Sequence, residues 1–264
     1  MSDELLYEIN DGIGLITLNR PDKLNAWTPS MGAEYLAALD DASTNTSVRV
    51  VVVTGAGRGF CAGADMGLLS GLAGGERTEG ERVSGEVQRP PSRMEPGVPK
   101  PVIAAINGAC AGLGLVRAMF CDIRFAAAGA KFTTAFARRG LVAEHGLSWL
   151  MPRLSGISRS LDVLFSGRVF LAEEALQLGL VNRVVDGDVL AAAMEYAREL
   201  ATYSSPASMA DMKRQIWSDA VTELDEAWGR AEKLMVASFE RPDLAEGVNS
   251  YLEGREPHFP PLGG

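Results

Sequence analysis

The sequence has few of the residues from which metal and nucleophile sites are usually built. Its 264 residues include two histidines and three cysteines. Cys61, Cys110 and Cys121 are odd in number and lie in apolar stretches, which indicates buried free thiols in a reducing compartment rather than a disulfide framework. Because no spacing among these residues is typical of a metal site, we expect neither a metal nor another cofactor.

Long hydrophobic runs and an excess of positive charge are also missing. No uncharged apolar run reaches the length of about 18 residues that a membrane-spanning helix needs. The N-terminus shows no basic segment followed by an apolar run, so we expect no secretory signal. The net charge of −9 argues against a nucleic acid or an anionic membrane as partner. We therefore expect a cytoplasmic protein, in which an anionic ligand must meet a local cation or backbone dipoles.

Three common nucleotide and hydrolase motifs are absent or incomplete. In "TGAGRGF" the third glycine of a dinucleotide-binding loop would fall on Phe60, which disfavours a Rossmann site. No G-x-x-x-x-G-K-[ST] stretch forms a P-loop. No G-x-S-x-G elbow presents a serine that His145 could activate.

What the sequence does have is a regular alternation of apolar strands and helical patterns. "LLYEI" and "GLITL" flank a turn and predict a hairpin. "VRVVVVTG", "PVIAAING" and "CDIRFAA" are typical of strands that are buried on both faces. Since helical patterns separate them, we predict an α/β fold of stacked units, of a length that suits one large domain or two small ones.

Helical periodicity occurs in two parts of the chain. Residues 29–43 follow Thr28, a good N-cap, with Pro29 in the first helical position. From about Gly187 onward only helical patterns remain, in "DVLAAAMEYARELATYS", "SMADMKRQIWSDA" and "ELDEAWGRAEKLMVASF". These C-terminal helices form either a second layer or an oligomer interface.

Residues 70–98 differ from the rest of the chain in composition. They are rich in Gly, Glu, Arg and Pro and poor in large apolar side chains. We predict a mobile surface segment with a helix around Glu79 to Gln88.

Two glycine-containing turns follow buried strands and precede helical patterns. They lie in "GRGFCAGADM" (57–66) and "AAINGACAGLGLVRAMFCDIRFA" (104–126). Such a turn leaves backbone N–H groups unpaired at the positive end of a helix. If two of these turns face each other, their N–H groups can bind one oxygen that gains negative charge. The alternative is that the small residues only permit tight turns and close packing.

Four motifs in this order resemble the crotonase (enoyl-CoA hydratase/isomerase) superfamily: "RPDKLNAW", "GRGFCAGADM", "NGACAGLGL…CDIRFA" and "EEALQLGLVNRVV". The resemblance implies a crotonase-like spiral of repeated ββα units, with the acyl-CoA site in residues 1–186 and a helical trimerisation region in residues 187–264. It also implies a homotrimer or hexamer that acts on an acyl-CoA thioester. Coenzyme A is then part of the substrate and not a cofactor.

The resemblance also assigns roles to residues of this chain. It implies that the backbone N–H groups of Ala64 and Leu113 form an oxyanion hole for the thioester oxygen. It places coenzyme A and the acyl group along a further set of positions, which are Lys23, Leu24, Ala26, Ala62, Asp65, Met66, Gly112, Val116, Phe136, His145 and Tyr251. Lys23 has an independent argument, because a phosphate-rich ligand needs a local cation in an acidic protein. The alternative for Lys23 is a solvated surface lysine without a role in binding. The alternative for Tyr251 is a core residue.

The two glutamates of well-studied hydratases in this family correspond here to Val116 and Phe136. Neither side chain transfers protons, so the usual two-glutamate mechanism is excluded. In some isomerases and dehalogenases of the superfamily an acidic residue corresponds to Glu144, within "GLVAEHGLSW". The alternative for Glu144 is an exposed N-cap of a helix that starts near His145.

His145 and Arg117 each keep more than one interpretation. His145 orients Glu144, contacts the substrate or lies in the wall of the site, and the last two are favoured because adjacent helical residues do not share a face. Arg117 stands where most relatives are apolar. It either meets a polar or carboxylated acyl group or turns outward.

Together these features predict an enzyme of the enoyl-CoA hydratase/isomerase type with Glu144 as proton shuttle. A single carboxylate suits a 1,3-proton shift through an enolate that the oxyanion hole stabilises, so isomerisation of an enoyl-CoA double bond is the leading prediction. Hydration by Glu144 with His145 and a catalytically silent acyl-CoA-binding protein are the alternatives. A hydrolase of β-diketones or of carbon–halogen bonds is a weaker one.

Overall fold

The computed structural model describes residues 3–73 and 94–263. The predicted helix around Glu79 to Gln88, and most of the segment that was expected to be mobile, lie outside these ranges. Within them the strands, in chain order, are β1 (Leu5–Asn10), β2 (Ile13–Leu18), β3 (Val50–Gly55), β4 (Gly59–Cys61), β5 (Val102–Ile106), β6 (Ala109–Ala111), β7 (Ile123–Ala127), β8 (Lys131–Thr133), β9 (Phe170–Leu171) and β10 (Arg183–Val185).

Helices alternate with the strands and then fill the C-terminal part of the chain. They are α1 (Pro29–Thr44), α2 (Met66–Ala73), α3 (Leu113–Phe120), α4 (Leu147–Ser155), α5 (Ile157–Ser166), α6 (Ala172–Gln177), α7 (Val189–Tyr203), α8 (Pro206–Asp219), α9 (Leu224–Phe239) and α10 (Pro242–Glu253). Helix α1 begins as predicted, because the Thr28 hydroxyl accepts a hydrogen bond from the Met31 N–H at 3.0 Å.

The strands form two sheets that the chain visits in turn. The larger sheet has the order β1-β2-β3-β5-β7-β10, and the smaller has the order β4-β6-β8-β9. The predicted hairpin β1–β2 is antiparallel, whereas the other neighbours in the larger sheet are parallel. The pairs β3–β4, β5–β6 and β7–β8 each place one strand in each sheet, and the first two pairs lead into α2 and α3. The fold is therefore the α/β spiral of repeated ββα units that the sequence predicts.

Glycines permit the chain to pass from one sheet to the other. A Cβ added to Gly55 would lie 2.2 Å from the carbonyl oxygen of Gly59, and one added to Gly108 would lie 2.1 Å from that of Arg58. No side chain fits at either place, so these positions require glycine. The crossings bring the ends of successive units to the same edge of the molecule.

The continuous valine run of β3 is explained by packing on both faces of the larger sheet. Val51 and Val53 belong to the main core with Tyr35 of α1, whereas Val50 and Val52 pack in a second cluster. That second cluster includes four residues of α7: Val189, Ala193, Ala197 and Ala201. Alternate residues of one strand thus face opposite layers. The three cysteines are free and buried, as predicted.

Of the two interpretations left open for the C-terminal helices, a second layer is observed for α7, and an oligomer interface stays a prediction. Helix α7 is a second layer on the larger sheet, but α9 buries none of its residues within the chain. The division of the chain at residue 187 stays a prediction. Among the described residues, no helix is both long and apolar enough to cross a membrane.

Candidate active site

The two predicted glycine turns lie against each other. Gly63 and Gly112 both have left-handed backbone angles, with φ of +97° and +47°. A Cβ added to Gly63 would lie 3.7 Å from the Gly112 Cα, and one added to Gly112 would lie 3.8 Å from the Gly63 Cα. The residues that follow them, Ala64 and Leu113, are therefore brought together from separate ββα units.

The backbone N–H groups of Ala64 and Leu113 are oriented away from the hydrogen bonds that hold the two turns. The Trp27 N–H donates to the Gly63 carbonyl at 2.7 Å, and the Asp65 N–H donates to the Trp27 carbonyl at 3.0 Å. In such a parallel bridge the N–H of the residue between, Ala64, points away from its partner strand. Leu113 is the first residue of α3, where an N–H has no intrahelical partner and the helix dipole is positive.

Close packing holds the first turn of α3 in this place. A Cβ added to Gly114 would lie 2.4 Å from the carbonyl oxygen of Cys61. Only glycine allows α3 to lie this close to the end of β4. The same approach aligns the start of α3 with the Gly63 turn.

The two segments predicted to bind coenzyme A run side by side. The Ala62 N–H donates to the Leu24 carbonyl at 2.9 Å, and the Trp27 and Asp65 bonds continue the pairing. Lys23 and Met66 are exposed at the edge of this paired segment, while Ala26 is partly buried. The structure thus brings together the residues 23–26 and 62–66.

Two polar residues that the sequence analysis did not select hold these segments in place. Asn25 is fully buried and donates to the carbonyls of Ala56, at 2.9 Å, and Gly59, at 2.8 Å. Arg20 bonds the Asp65 carboxylate at 3.0 Å. Both stand in "RPDKLNAW", but nothing in one sequence distinguishes a buried polar side chain from an exposed one.

Asp65 is held as a carboxylate by its neighbours. The Gly67 N–H, donating at 2.9 Å, and the Arg20 guanidinium together lower the pKa of this carboxyl, and Lys23 adds to the effect. Asp65 therefore neutralises part of the local positive charge. Lys23 remains an exposed cation beside the paired segments.

The positions of the two hydratase glutamates are apolar and closed to solvent. Val116 is fully buried on α3, and Phe136 is 5% exposed. The Phe136 ring lies 4.0 Å from the place where a Cβ on Gly112 would stand. The surroundings of the Leu113 N–H are therefore apolar on this side.

Glu144 lies in the loop before α4 and does not cap that helix. The N-cap of α4 is Gly146, and the helix begins at Leu147 rather than near His145. The N-cap interpretation of Glu144 is therefore wrong; its backbone carbonyl, not its side chain, accepts from the Leu147 N–H at 2.9 Å. The side chain is 35% exposed, and burial raises the pKa of its carboxyl.

His145 is adjacent to Glu144 and has an unusual conformation. Its φ is +49°, which is uncommon for a residue with a side chain. Its Nε2 is 3.9 Å from Glu144 Oε2. Burial, with a smaller effect from the Arg117 charge, lowers the pKa of the imidazole to about 4. The ring is therefore neutral at pH 7 and forms no ion pair with Glu144.

Arg117 points into the protein, so the outward interpretation is wrong. Its side chain is 6% exposed, and its Nη1 is 3.5 Å from Oε2 of the fully buried Glu95. Glu95 Oε1 in turn accepts from the Tyr35 hydroxyl at 2.9 Å, and the Arg117 guanidinium lies 5.9 Å from the centre of the Trp27 ring. Glu95 was missed because it stands in a Gly/Pro-rich stretch that indicates surface.

Comparison with known proteins gives the family. The sequence model of the family Enoyl-CoA hydratase/isomerase matches residues 8–261. The chain belongs to this family. It is 34% identical over 260 residues to the 1,2-epoxyphenylacetyl-CoA isomerase of Escherichia coli (strain K12), covering 98% of this chain and 99% of that protein. It is 36% identical to a probable enoyl-CoA hydratase of Rhodobacter capsulatus, covering 96% of each chain.

Solved structures of the family share its fold. The crystal structure of an enoyl-CoA hydratase from Bacillus anthracis matches with a TM-score of 0.90 at 27% identity, covering 98% of this chain and 99% of that one. That of an enoyl-CoA hydratase from Polaromonas sp. JS666 matches with a TM-score of 0.89 at 29% identity, covering 97% and 99%. Membership of the crotonase superfamily, predicted from four motifs, is confirmed. The relatives include isomerases and hydratases, so the family leaves the reaction open.

Tyr251 is a largely exposed member of the predicted site residues. It lies on α10, and 85% of it is exposed. The interpretation of Tyr251 as a core residue of the single chain is therefore wrong. Its contact with coenzyme A stays a prediction.

Proposed function

We propose that this family member is an enoyl-CoA isomerase that moves a double bond from C3–C4 to C2–C3 of the acyl group. The observation that carries the proposal is the pairing of the Gly63 and Gly112 turns, together with one half-buried carboxylate, Glu144. Apolar residues at the hydratase positions, Val116 and Phe136, support isomerisation over hydration.

The proposed reaction needs one proton carrier and no water. The thioester oxygen accepts hydrogen bonds from the N–H groups of Ala64 and Leu113, and the Glu144 carboxylate removes a proton from C2. The electron pair of the C–H bond moves toward the thioester oxygen and forms an enolate that the two N–H groups stabilise. Glu144 then returns the proton to C4, and the double bond forms between C2 and C3. Substrate and product have the same composition, so the step balances.

The raised pKa of the Glu144 carboxyl suits this role. A carboxylate that is poorly solvated is a stronger base, and its conjugate acid still releases the proton to C4. His145, neutral at pH 7, supplies no charge that would weaken the base. Hydration would need a second acid or base, and neither Val116 nor Phe136 provides one.

Binding of coenzyme A is proposed along the paired segments 23–26 and 62–66. The exposed Lys23 is available for a phosphate there, and Arg20 is already engaged by Asp65 and Glu4. One exposed cation suits a ligand whose phosphates remain largely in water.

We also infer a homotrimer or hexamer, because α9 and α10 carry large apolar side chains that the single chain leaves open. Trp228 is 65% exposed, Phe239 is 57% exposed and Leu252 is 75% exposed. Exposed apolar surface of this kind marks a protein interface. Light scattering on the purified protein should report a multiple of 28.1 kDa; a monomer at micromolar concentration would contradict the inference.

The test of the proposed reaction compares two substrates and two variants. Purified protein should convert a 3-enoyl-CoA to the 2-enoyl-CoA and should hydrate crotonyl-CoA poorly. Glu144→Gln should abolish isomerisation, whereas Glu195→Gln, an exposed carboxyl on α7, should leave it unchanged. Rapid hydration without isomerisation would overturn the mechanism. Binding of thioesters with no turnover of any of them would identify an acyl-CoA-binding protein instead.

A further inference from the structure

A cavity of about 680 Å³ lies between α3, α4, α8 and the segment after the short 3-10 turn Glu95–Gly97. Its described walls are mainly apolar and include two prolines and three aromatic rings: Pro96, Pro99, Phe120, Trp149 and Trp217. Branched aliphatic side chains, which line sites for flexible chains, are represented among the described wall residues by Val98 alone. The cavity is large enough for a drug-sized group.

Three of these wall residues form a column of nearly parallel rings. Trp217 lies between Phe120 and Trp149, with ring centres 6.2 Å and 6.1 Å apart and planes inclined by 21° and 20°. The Arg153 guanidinium covers the Trp149 ring at 3.8 Å, which fixes the end of the column. The rings come from three different helices, so the tertiary fold sets their spacing.

The cavity lies next to the loop that carries Glu144. Phe120 is seven residues after Leu113 on α3, so the two lie on one face of the helix, about 10 Å apart along its axis. On the other side the cavity wall includes Gly146, two residues after Glu144. A Cβ added to Gly146 would lie 3.3 Å from Phe120 Cζ, so the Glu144 loop and α3 meet at the cavity.

The buried cation in the described wall is already paired within the protein. Lys213 Nζ donates to Asp122 Oδ2 at 2.7 Å and to the backbone carbonyls of Glu95, at 2.7 Å, and Lys100, at 3.1 Å. Three acceptors use all three of its hydrogens. Arg214 shares Asp211 with Arg241, and its side chain is 67% exposed. Lys213 therefore has no hydrogen left for a ligand, and Arg214 lies at the solvent side of the wall.

We propose that this cavity receives the aromatic ring of an aryl-alkenoyl-CoA, and that the Phe120–Trp217–Trp149 column selects such substrates over linear ones. The position of the thioester rests on the proposed function. Because Phe120 and Trp149 cover the two faces of Trp217, a ring in the cavity meets the column edge to face, an arrangement that aromatic pairs favour. A rigid ring also loses less conformational freedom on binding than a linear chain of equal size. Mainly apolar walls with flat rings match a phenyl group in shape and polarity.

Binding of unreactive esters tests the selection without any turnover. 5-Phenylpentanoyl-CoA and undecanoyl-CoA have the same number of carbon atoms, and calorimetry gives the Kd of each. We expect the phenyl ester to bind about tenfold more tightly. Equal binding, or tighter binding of the linear ester, would overturn the proposal.

Substitutions of Trp217, the central ring of the column, test whether the column causes the preference for the phenyl ester. Trp217→Leu should remove the difference between the two esters, and Trp217→Phe, which keeps an aromatic face, should retain most of it. Phe165→Leu is the matched control, since Phe165 is exposed on α5 and outside the described cavity wall. If Trp217→Leu keeps the full preference, the column does not select the ring.

Turnover separates this proposal from the proposed function. If 5-phenyl-3-pentenoyl-CoA is not isomerised but the phenyl ester still binds more tightly, the isomerase assignment fails and the cavity assignment stands. If the linear 3-undecenoyl-CoA is isomerised with the higher kcat/KM, the isomerase assignment stands and the aryl preference is wrong.

Discussion

Gly63 and Gly112 face each other so closely that a Cβ added to either would lie within 3.8 Å of the Cα atom of the other. The proposed donors, Ala64 and Leu113, are the next residues in each turn. The separation of their N–H groups therefore depends on two positions that carry no side chain.

Gly63→Ala should lower kcat/KM by about 100-fold or more, the loss that removal of one oxyanion donor typically causes. The new Cβ would lie 3.1 Å from the Ala111 carbonyl oxygen, and φ of +97° is strained for alanine. Both effects displace the Ala64 N–H. Steady-state kinetics with a 3-enoyl-CoA measures the change.

Gly187→Ala is the matched control for this substitution. Gly187 has the same φ of +97°, but no atom lies within 4 Å of its Cβ position. Alanine there should cost about 1 kcal/mol of stability with activity unchanged. A similar loss of activity in both variants would show that backbone strain, and not the donor geometry, is responsible.

The loss of activity at low pH should reflect protonation of the Glu144 carboxylate. Burial raises the pKa of its carboxyl above the ordinary 4.5, and the base must be ionised before it removes the C2 proton. Activity in kcat/KM should therefore fall as pH decreases through a value above 4.5. Any residual activity of Glu144→Gln should not show this fall of kcat/KM at low pH. If the fall is unchanged in the variant, another group causes it.

The same pKa shift has a consequence for stability. Because the folded-state pKa of Glu144 is raised, its ionised form destabilises the fold at neutral pH, and this penalty disappears below the unfolded-state value. Glu144→Gln should thus be more stable than the natural protein at pH 7 and no more stable near pH 4. Urea unfolding at both pH values measures this, and a less stable variant at pH 7 contradicts it.

Arg117 should control the ionisation of His145. Its charge is the second cause, after burial, of the lowered imidazole pKa of about 4, so Arg117→Met should raise that pKa. Between the folded value near 4 and the ordinary 6.5 the unfolded state binds more protons, so stability due to His145 is lost as pH falls through this range. NMR titration of His145, assigned with His145→Gln, gives the pKa directly.

The buried pair of Arg117 and Glu95 should be strongly coupled. Arg117→Met alone leaves a fully buried carboxylate without its cation and should cost about 3–5 kcal/mol. Glu95→Gln added to it should restore part of the loss, because the unpaired charge is removed. A double-mutant cycle by chemical denaturation tests this; additive losses would mean that the two residues do not interact.

Lys23→Ala should weaken substrate binding more than it slows the reaction. We expect KM for a coenzyme A ester to rise about threefold to tenfold, roughly 1 kcal/mol, with kcat little changed. The effect should shrink as salt is added, because the charge is exposed. Lys131→Ala, an exposed lysine on β8, is the control; equal effects in the two variants would exclude a specific phosphate contact.

Much of the fold followed from local patterns. The valine run of β3 predicts a strand with two buried faces, and the Thr28–Pro29 pair predicts the start of α1, because these signals depend on neighbours in the chain. The Gly63 and Gly112 turns were found for the same reason. The sequence motifs suggested that the two turns face each other, and the structure shows that they do.

The sequence was less informative wherever distant residues meet. Glu95 was taken for surface, and Arg117 was left between two interpretations, because their ion pair joins a short 3-10 turn to α3. Asn25 was overlooked since the two carbonyls to which its side chain donates lie more than 30 residues away. Polar residues have no local signal of burial, so their partners emerge only from the packed chain.

Local order along the chain was thus enough for the strands and the glycine turns, since backbone preferences and hydrophobic periodicity act over a few residues. The candidate base Glu144 came from the resemblance to the family. Packing decided the remainder: the inward side chain of Arg117, the neutral His145 and the aromatic column of Phe120, Trp217 and Trp149. Each of these depends on distances between separate elements, and such distances are set by how the two sheets and their helices close on one core.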